Sequence, residues 1–440
     1  MKQTNFFLYF FLLLLPVLFF NDASFLYFDY FSLFVFFIFV FYLVRFDKNF
    51  AVLSFYTFFV FISTLLTTLI IEHGTYLIEI DEISYPLGVT SKGALTSFLF
   101  LSGMYISYIF FKRTNLGVKN LSVSSQIATF YGVRILITVM CIAMIMLLMK
   151  YGIPLLMGIH RADFWSGYAP SWGGTLAFWL IQVSFLLGFI YSKTKSRIDI
   201  LLFIFLLFVT ILSGSRFTGI MQTLVYFFIP ILVLSKSFKI HNPKFVISFS
   251  VVFILLLAVV FNSFEAKSSQ ERQNNLALRI VLQGQMWWAL DRKSTIYPKE
   301  SDEILNSYIG LSKDPREKSY NYLMYLVAPT AFVNQKLETD SRFTMSGFFN
   351  NYYFFGYFVG GFINFISAIF FGFLVFLLYL TICSNNVILL FFVFKLFTKV
   401  EAILYTGNVD DFFSLNFLVF TIGIILFLTL VKNKSVNYDK

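Results

Sequence analysis

Apolar runs of about twenty residues recur along this chain almost from end to end, and that feature excludes most folds open to 440 residues. A run of that length, coiled as a helix, matches the hydrocarbon thickness of a bilayer. A soluble core has no means of burying a dozen of them. Charged residues make up 13% of the chain, against roughly 25% in soluble domains. The expected architecture is an all-α, polytopic transmembrane helix bundle, with residues 1–440 forming a single integral membrane domain. The 63 Phe and 25 Tyr fit a lipid-facing bias and carry no functional weight here.

Twelve spans are expected, near 5–20, 29–44, 50–71, 94–111, 127–149, 172–191, 198–214, 218–235, 245–262, 353–381, 387–407 and 413–431. The first resembles a signal peptide. It lacks a small-x-small cleavage site and many spans follow, so it reads as an uncleaved first span. The net charge of +10 has a topological explanation that displaces a nucleic-acid partner. Arg45 and Lys48, Lys112 to Lys119, Lys193 to Arg197, Lys236 to Lys244 and Lys432 to Lys440 all fall on one side of a twelve-span chain. The opposite loops are poor in Lys and Arg or acidic, as at 72–82 and 410–411. Positive loops face the cytoplasm, which puts both termini there. Cys141 and Cys383 lie in or beside apolar segments with no metal or disulfide spacing.

One outer connection, 263–352, is far longer than the rest, and long loops tend to carry function. It is expected to begin with a helix over 268–290 that sets Arg272, Arg279 and Gln283 on one face, at spacings of seven and four. The apolar stretch 320–333 contains Pro329 and would lie along or re-enter the membrane.

Charged groups at membrane depth are expensive and draw attention first. Arg216 ends the very tight 213–216 turn between two spans, aimed at an outer vestibule or snorkelling to lipid phosphate. His160 and Arg161 close a Gly- and Pro-broken loop, 152–161, where an anionic headgroup or plain interface would suit them equally. Trp287 and Trp288 stand beside Asp291 and Arg292, as sugar-stacking rings or interface anchors. Glu72, Glu79, Asp81 and Glu82 could supply a general base or an acidic pair for a divalent metal, or be an ordinary acidic outer loop. Arg134, Lys395, Lys399 and Glu401 lie in or near spans, where pairing between helices competes with a functional role. The chain has no Gly-rich phosphate loop and no zinc spacing, so any transfer reaction must use an already activated, membrane-borne donor.

The stretches 152–161, 213–216, 279–285 and 346–361, set in this topology, resemble the O-antigen (Wzy-type) and related oligosaccharide repeat-unit polymerases. Where family members often carry a Glu ahead of the Phe-Gly step, this chain has Asn350 and Asn351. The resemblance implies an inverting, metal-independent glycosyltransferase of the bacterial inner membrane, needing no cofactor. It would join polyprenyl-diphosphate-linked oligosaccharides at the periplasmic face, with 263–352 as a periplasmic loop. A chain-length-regulating partner is compatible with it. Arginines stabilise a departing diphosphate well because the guanidinium fork matches phosphate oxygens. Arg216 and Arg279 are therefore expected on the diphosphate, Arg161 on sugar or phosphate, and Glu72 as base. His160, Arg272, Gln283, Trp287, Asn350, Asn351 and Tyr352 are expected to line the substrate. The rivals are a flippase for the same lipid-linked unit, with Arg134, Lys395 and Lys399 along its path, and a ligase that transfers finished glycan.

Overall fold

A computed structural model describes residues 26–114, 123–159, 161–215, 217–235, 280–293, 301–338, 343, 347–384, 386–406 and 409–431. The main helices are α1 (Leu26–Phe46), α2 (Phe55–Ile71), α3 (Val89–Arg113), α4 (Val123–Tyr151), α5 (Ser171–Thr194), α6 (Arg197–Leu212), α7 (Phe217–Leu234), α8 (Gln285–Lys293), α9 (Ser301–Tyr308), α10 (Ser319–Val327), α11 (Thr330–Glu338), α12 (Gly347–Cys383), α13 (Val387–Thr406) and α14 (Leu415–Val431). One short antiparallel pair among the described residues, β1 (Tyr76–Leu77) and β2 (Glu82–Ile83), sets Tyr76 opposite Ile83.

Among the described residues, five helices are long and apolar enough to cross a membrane: Leu26–Phe46, Val89–Arg113, Gln126–Tyr151, Ser171–Thr194 and Phe349–Cys383. Phe55–Ile71, Thr218–Leu234 and Phe417–Leu426 are apolar but shorter. The expected segments 5–20 and 245–262 lie outside the described residues, as does most of the expected helix over 268–290. What is described of that helix differs from expectation. Leu282, Gln283 and Gly284 form a turn, and α8 begins only at Gln285. The turn is forced by close packing, because a Cβ on Gly284 would lie 3.0–3.2 Å from Thr67, Thr68 and Ile71 of α2. Gln283 is therefore not in register with a continuous helical face. Pro329 stands between α10 and α11, so the 320–333 stretch is two short helices.

The chain forms two compact units. Unit 1 takes Met1–Leu116, Ala266–Leu377 and Leu396–Gly423; unit 2 takes Gly117–Glu265, Leu378–Lys395 and Ile424–Lys440. In unit 1, α1 and α2 flank α3, with Phe39 edge-on to Phe98 at 4.6 Å and Phe61 edge-on to Phe100 at 5.6 Å. Ser107 of α3 donates its hydroxyl to the Ile369 carbonyl of α12 at 2.7 Å. In unit 2, α5 and α7 meet where Gly188 lies against the Phe227 carbonyl, a contact no side chain would allow. Cys141, Leu180, Leu187 and Leu206 fill the core around it.

The described Gly347–Cys383 element is not one straight rod. Gly356 has φ 74° and ψ 171°, a backbone region that is essentially glycine's alone. Beyond it the chain reverses: Gly360 packs on the backbone of Asn351 and Tyr352, and Asn351 Nδ2 donates to Asn364 Oδ1 at 2.6 Å. In a continuous helix, residues nine apart are about 13 Å apart. The span expected from residue 353 is thus a hairpin, with a short arm up to Phe355 folded back on the long arm from Tyr357.

Candidate functional site

Among the described residues, cationic side chains occur in two kinds of surroundings. In unit 2, Pro154 and Arg161 of one stretch of sequence come together with Gly214 and Ser215 of another. Gly214, at φ 85°, allows the close approach: a Cβ there would lie 3.2–3.4 Å from Pro154 and from the Cβ of Arg161. Arg161 Nη1 donates to Ser215 Oγ at 3.4 Å. No carboxylate among the described residues forms an ion pair with Arg161. Burial pulls the Arg161 pKa below its ordinary value, as desolvation of a cation does. Ser215 stands just ahead of α7, an 18-residue helix whose N-terminal end carries partial positive charge. A guanidinium, a hydroxyl and a helix start gathered without a counter-charge favour an anion with several oxygens, such as a phosphate or diphosphate. Arg216, Arg279, Arg272 and His160 lie outside the described residues.

Unit 1 pairs its cations with carboxylates, as unit 2 does at Arg134. Lys92 Nζ pairs with Asp291 Oδ2 at 2.6 Å, and Tyr357 donates to the other oxygen, Oδ1, at 2.7 Å. Arg292 pairs with Glu82 and lies 5.6 Å over the Trp288 ring. Lys336 reaches Glu79 Oε1 at 2.9 Å. These pairs tie α8 to the β-hairpin, α3 and α12, and α11 to the β-hairpin.

Several expected substrate contacts are committed to this packing. Glu72 is fully buried at the end of α2, and its carboxyl accepts the backbone N–H groups of Leu87, Gly88 and Val89 that lead into α3. Burial, and next the neighbouring Asp29 carboxyl, push Glu72 up to about 8. Asp29 in turn takes the Ser91 amide at 2.9 Å and the Ser91 hydroxyl. The two carboxyls cap α3 together, which gives Glu72 a structural task in place of the expected base. Trp287 is buried, stacked on Phe349 at 3.5 Å and packed against Gly93, so its ring faces no sugar. Trp288 is also interior and donates Nε1–H to the Tyr85 carbonyl at 2.8 Å. Asn350 is buried, and Asn351 accepts from Tyr308 Oη at 2.7 Å. The Tyr352 hydroxyl lies 3.1 Å from that of Thr96. These three residues secure the short arm of the α12 hairpin.

Three of the charges in or near spans, Arg134, Lys399 and Lys395, are also spoken for, whereas Glu401 is buried with Oε1 unmatched among the described residues. Arg134 forms an ion pair with buried Asp199 at 2.7 Å, joined by Thr194. Lys399 pairs with Asp411 at 3.0 Å. Lys395 is buried, 3.4 Å from the centre of the Trp179 ring, and donates to Gln182. No group of three or more metal-ligating side chains occurs among the described residues.

Residues 313–421, which include Lys336 and the α12 hairpin, match a family described as "Family of unknown function (DUF6418)". No curated protein and no solved structure matches the chain.

Proposed function

We propose that this protein polymerises polyprenyl-diphosphate-linked oligosaccharide repeat units into a surface polysaccharide at the periplasmic face of a bacterial inner membrane. The observation that carries the reading is the Arg161 site: a half-buried guanidinium with no carboxylate among the described residues, beside Ser215 and the start of α7. Such a cation is stabilised when an anion arrives, and a diphosphate on an apolar carrier brings that anion to membrane depth. Arg216 follows Ser215 directly in the chain and is the second cation of the proposal, with Arg279 the third. In the reaction, the terminal hydroxyl of one repeat unit attacks the anomeric carbon of another. A new glycosidic C–O bond forms, the anomeric C–O bond breaks with its electrons leaving on polyprenyl diphosphate, and the hydroxyl proton passes to that diphosphate or to solvent. Arg161 would stabilise the charge gathering on that leaving group.

The flippase reading retains one supporting observation, the buried Lys395 on Trp179. Its other expected path residues, Arg134 and Lys399, are paired with carboxylates. Gel analysis of surface glycolipid from a deletion strain separates the readings. Loss of the ladder, with single-repeat glycolipid remaining, is the expected result. Absence of any repeat unit overturns polymerisation in favour of transport or ligation. Arg161→Ala is expected to lower chain growth by about 100-fold or more at wild-type membrane abundance. A normal ladder in that variant overturns the role given to Arg161.

A further inference from the structure

The β1–β2 hairpin of unit 1 has two unlike faces. Residues opposite each other in a ladder share a face, and successive residues alternate. Leu77 and Glu82 form the inner pair: Leu77 is fully buried, and Glu82 holds Arg292 of α8. Glu79, in the connecting turn, holds Lys336 and Gln285. Tyr76 and Ile83 form the other pair, 48% and 70% exposed, and Ile78, two residues after Tyr76, is exposed as well. An apolar face left open in this way calls for something to cover it.

Three features point to lipid as the cover. The first is position. Ser84 Oγ donates to the Ile71 carbonyl, Thr75 Oγ1 donates to the Ile70 carbonyl at 3.1 Å, and the Glu72 carboxyl accepts the amides that lead into α3. Tyr76 and Ile83 are thus each one residue, about 3.3 Å of chain, from a contact with the last turn of α2. A headgroup layer is about 5–8 Å deep, so the pair stays at the level of the headgroups. The second is continuity. Tyr27, Tyr30, Phe34 and Phe41 make an exposed apolar stripe along α1, a helix long and apolar enough to cross a membrane. Tyr30 Oη lies 2.8 Å from His73 Nε2, and His73 comes three residues before Tyr76, so the stripe runs on to the hairpin. Tyrosine suits that boundary, with its ring in the apolar edge and its hydroxyl towards water. The third is charge. Residues 72–88 hold Glu72, Glu79, Asp81 and Glu82 and no Lys or Arg, and Asp81 is exposed. A net-anionic lipid is repelled there, while an ammonium headgroup is attracted. We propose that Tyr76, Ile78 and Ile83 form a lipid-docking face that seats the hairpin among zwitterionic, ammonium-bearing headgroups, at the membrane face away from Lys112 and Arg113. Because the same hairpin holds Lys336 and Arg292, its seat in the lipid sets the height of α8 and α11 over the membrane. The proposal is independent of the reaction assigned to Arg161.

The test uses the full-length protein carrying Cys383→Ser, which leaves only the buried Cys141. A fluorescent dye is attached at Ile83→Cys, and the protein is placed in nanodiscs of phosphatidylethanolamine and phosphatidylcholine. A nitroxide carried by the lipid near its headgroup is expected to quench the dye, as it does at Phe34→Cys on α1. Iodide in the water is expected to quench it several-fold less than free dye. Exchanging phosphatidylethanolamine for phosphatidylglycerol is expected to weaken the nitroxide quenching. Strong quenching by iodide without quenching by the nitroxide puts the face in water and overturns the proposal. Protection from both quenchers means that protein, a second copy or another partner, covers the face, which also overturns it. Equal nitroxide quenching in phosphatidylglycerol overturns the headgroup preference. Should a thermal melt show Ile83→Cys unfolded, Tyr76→Cys gives the same reading from across the ladder.

Discussion

Unit 1 pairs its partly buried cations with carboxylates, whereas unit 2 does so at Arg134 and not at Arg161. In unit 1, Lys92, Arg292 and Lys336 each meet a carboxylate from a distant part of the chain. In unit 2, Arg161 has a serine hydroxyl and no carboxylate among the described residues. A paired charge is a fastener: its energy is spent in the folded state, and removing one partner strands the other. An uncompensated charge is a reserve, stabilised only when something else supplies the counter-charge. The contrast separates residues that hold the site's scaffold from residues that can still act on a ligand.

That distinction breaks or holds on measurement. The largest effect is expected from Lys92→Ala, which leaves Asp291 buried at 3% side-chain exposure without its cation. A loss of about 3–5 kcal/mol is expected in denaturant unfolding, with much of it recovered by Lys92→Met combined with Asp291→Leu. A loss under about 1 kcal/mol would mean the pair is not a fastener.

The next effect is a pH dependence. Glu72 holds its proton up to about 8 in the fold, against 4.5 for a free side chain. The folded state therefore binds a proton that the unfolded state has already released. Its contribution is complete below about 4.5 and is lost as pH rises towards 8. Thermal midpoints should fall across that window, and Glu72→Gln should flatten the fall; an unchanged profile would detach Glu72 from the effect.

Arg161→Met sharpens the comparison from the other side. It should abolish chain growth while leaving the thermal midpoint unchanged or higher, since it removes a half-buried charge that no carboxylate offsets. A lower midpoint would make Arg161 a fastener after all. The smallest effect belongs to Arg292→Ala. Its pair with Glu82 is 26% and 34% exposed, so under about 1 kcal/mol is expected in the same unfolding assay.

These two rules were unequally legible in the sequence. Helices such as α1, α3 and α5 follow directly from apolar length, because lipid leaves the backbone no other way to satisfy its hydrogen bonds. The 152–161 and 213–216 stretches stood out through their glycines, prolines and arginines, though nothing local indicates that Gly214 would pack on Pro154. The fasteners were hidden for a simpler reason. Glu79 and Gln285 are 206 positions apart, as Lys92 and Asp291 are 199 apart, and no periodicity spans such distances. Glu72 and Trp287 misled because a carboxylate at a span end and a Trp in a polar loop look alike whether they face a substrate or the interior. The signal that could have reassigned Trp287 was Gly93, the small residue that makes room for its ring.

The reversal at Gly356 also decides how much greasy length the bilayer has to cover. As one continuous rod, the 37 residues of α12 would run about 55 Å, close to twice the hydrocarbon thickness of about 30 Å. Doubling the first turns back leaves an arm of about 27 residues, near 40 Å, which tilt and interfacial ends can accommodate. One glycine thereby converts a hydrophobic mismatch too large for any membrane into one that an ordinary membrane absorbs. A bulkier residue there would set backbone strain of about 1–3 kcal/mol against the cost of thickening the surrounding lipid.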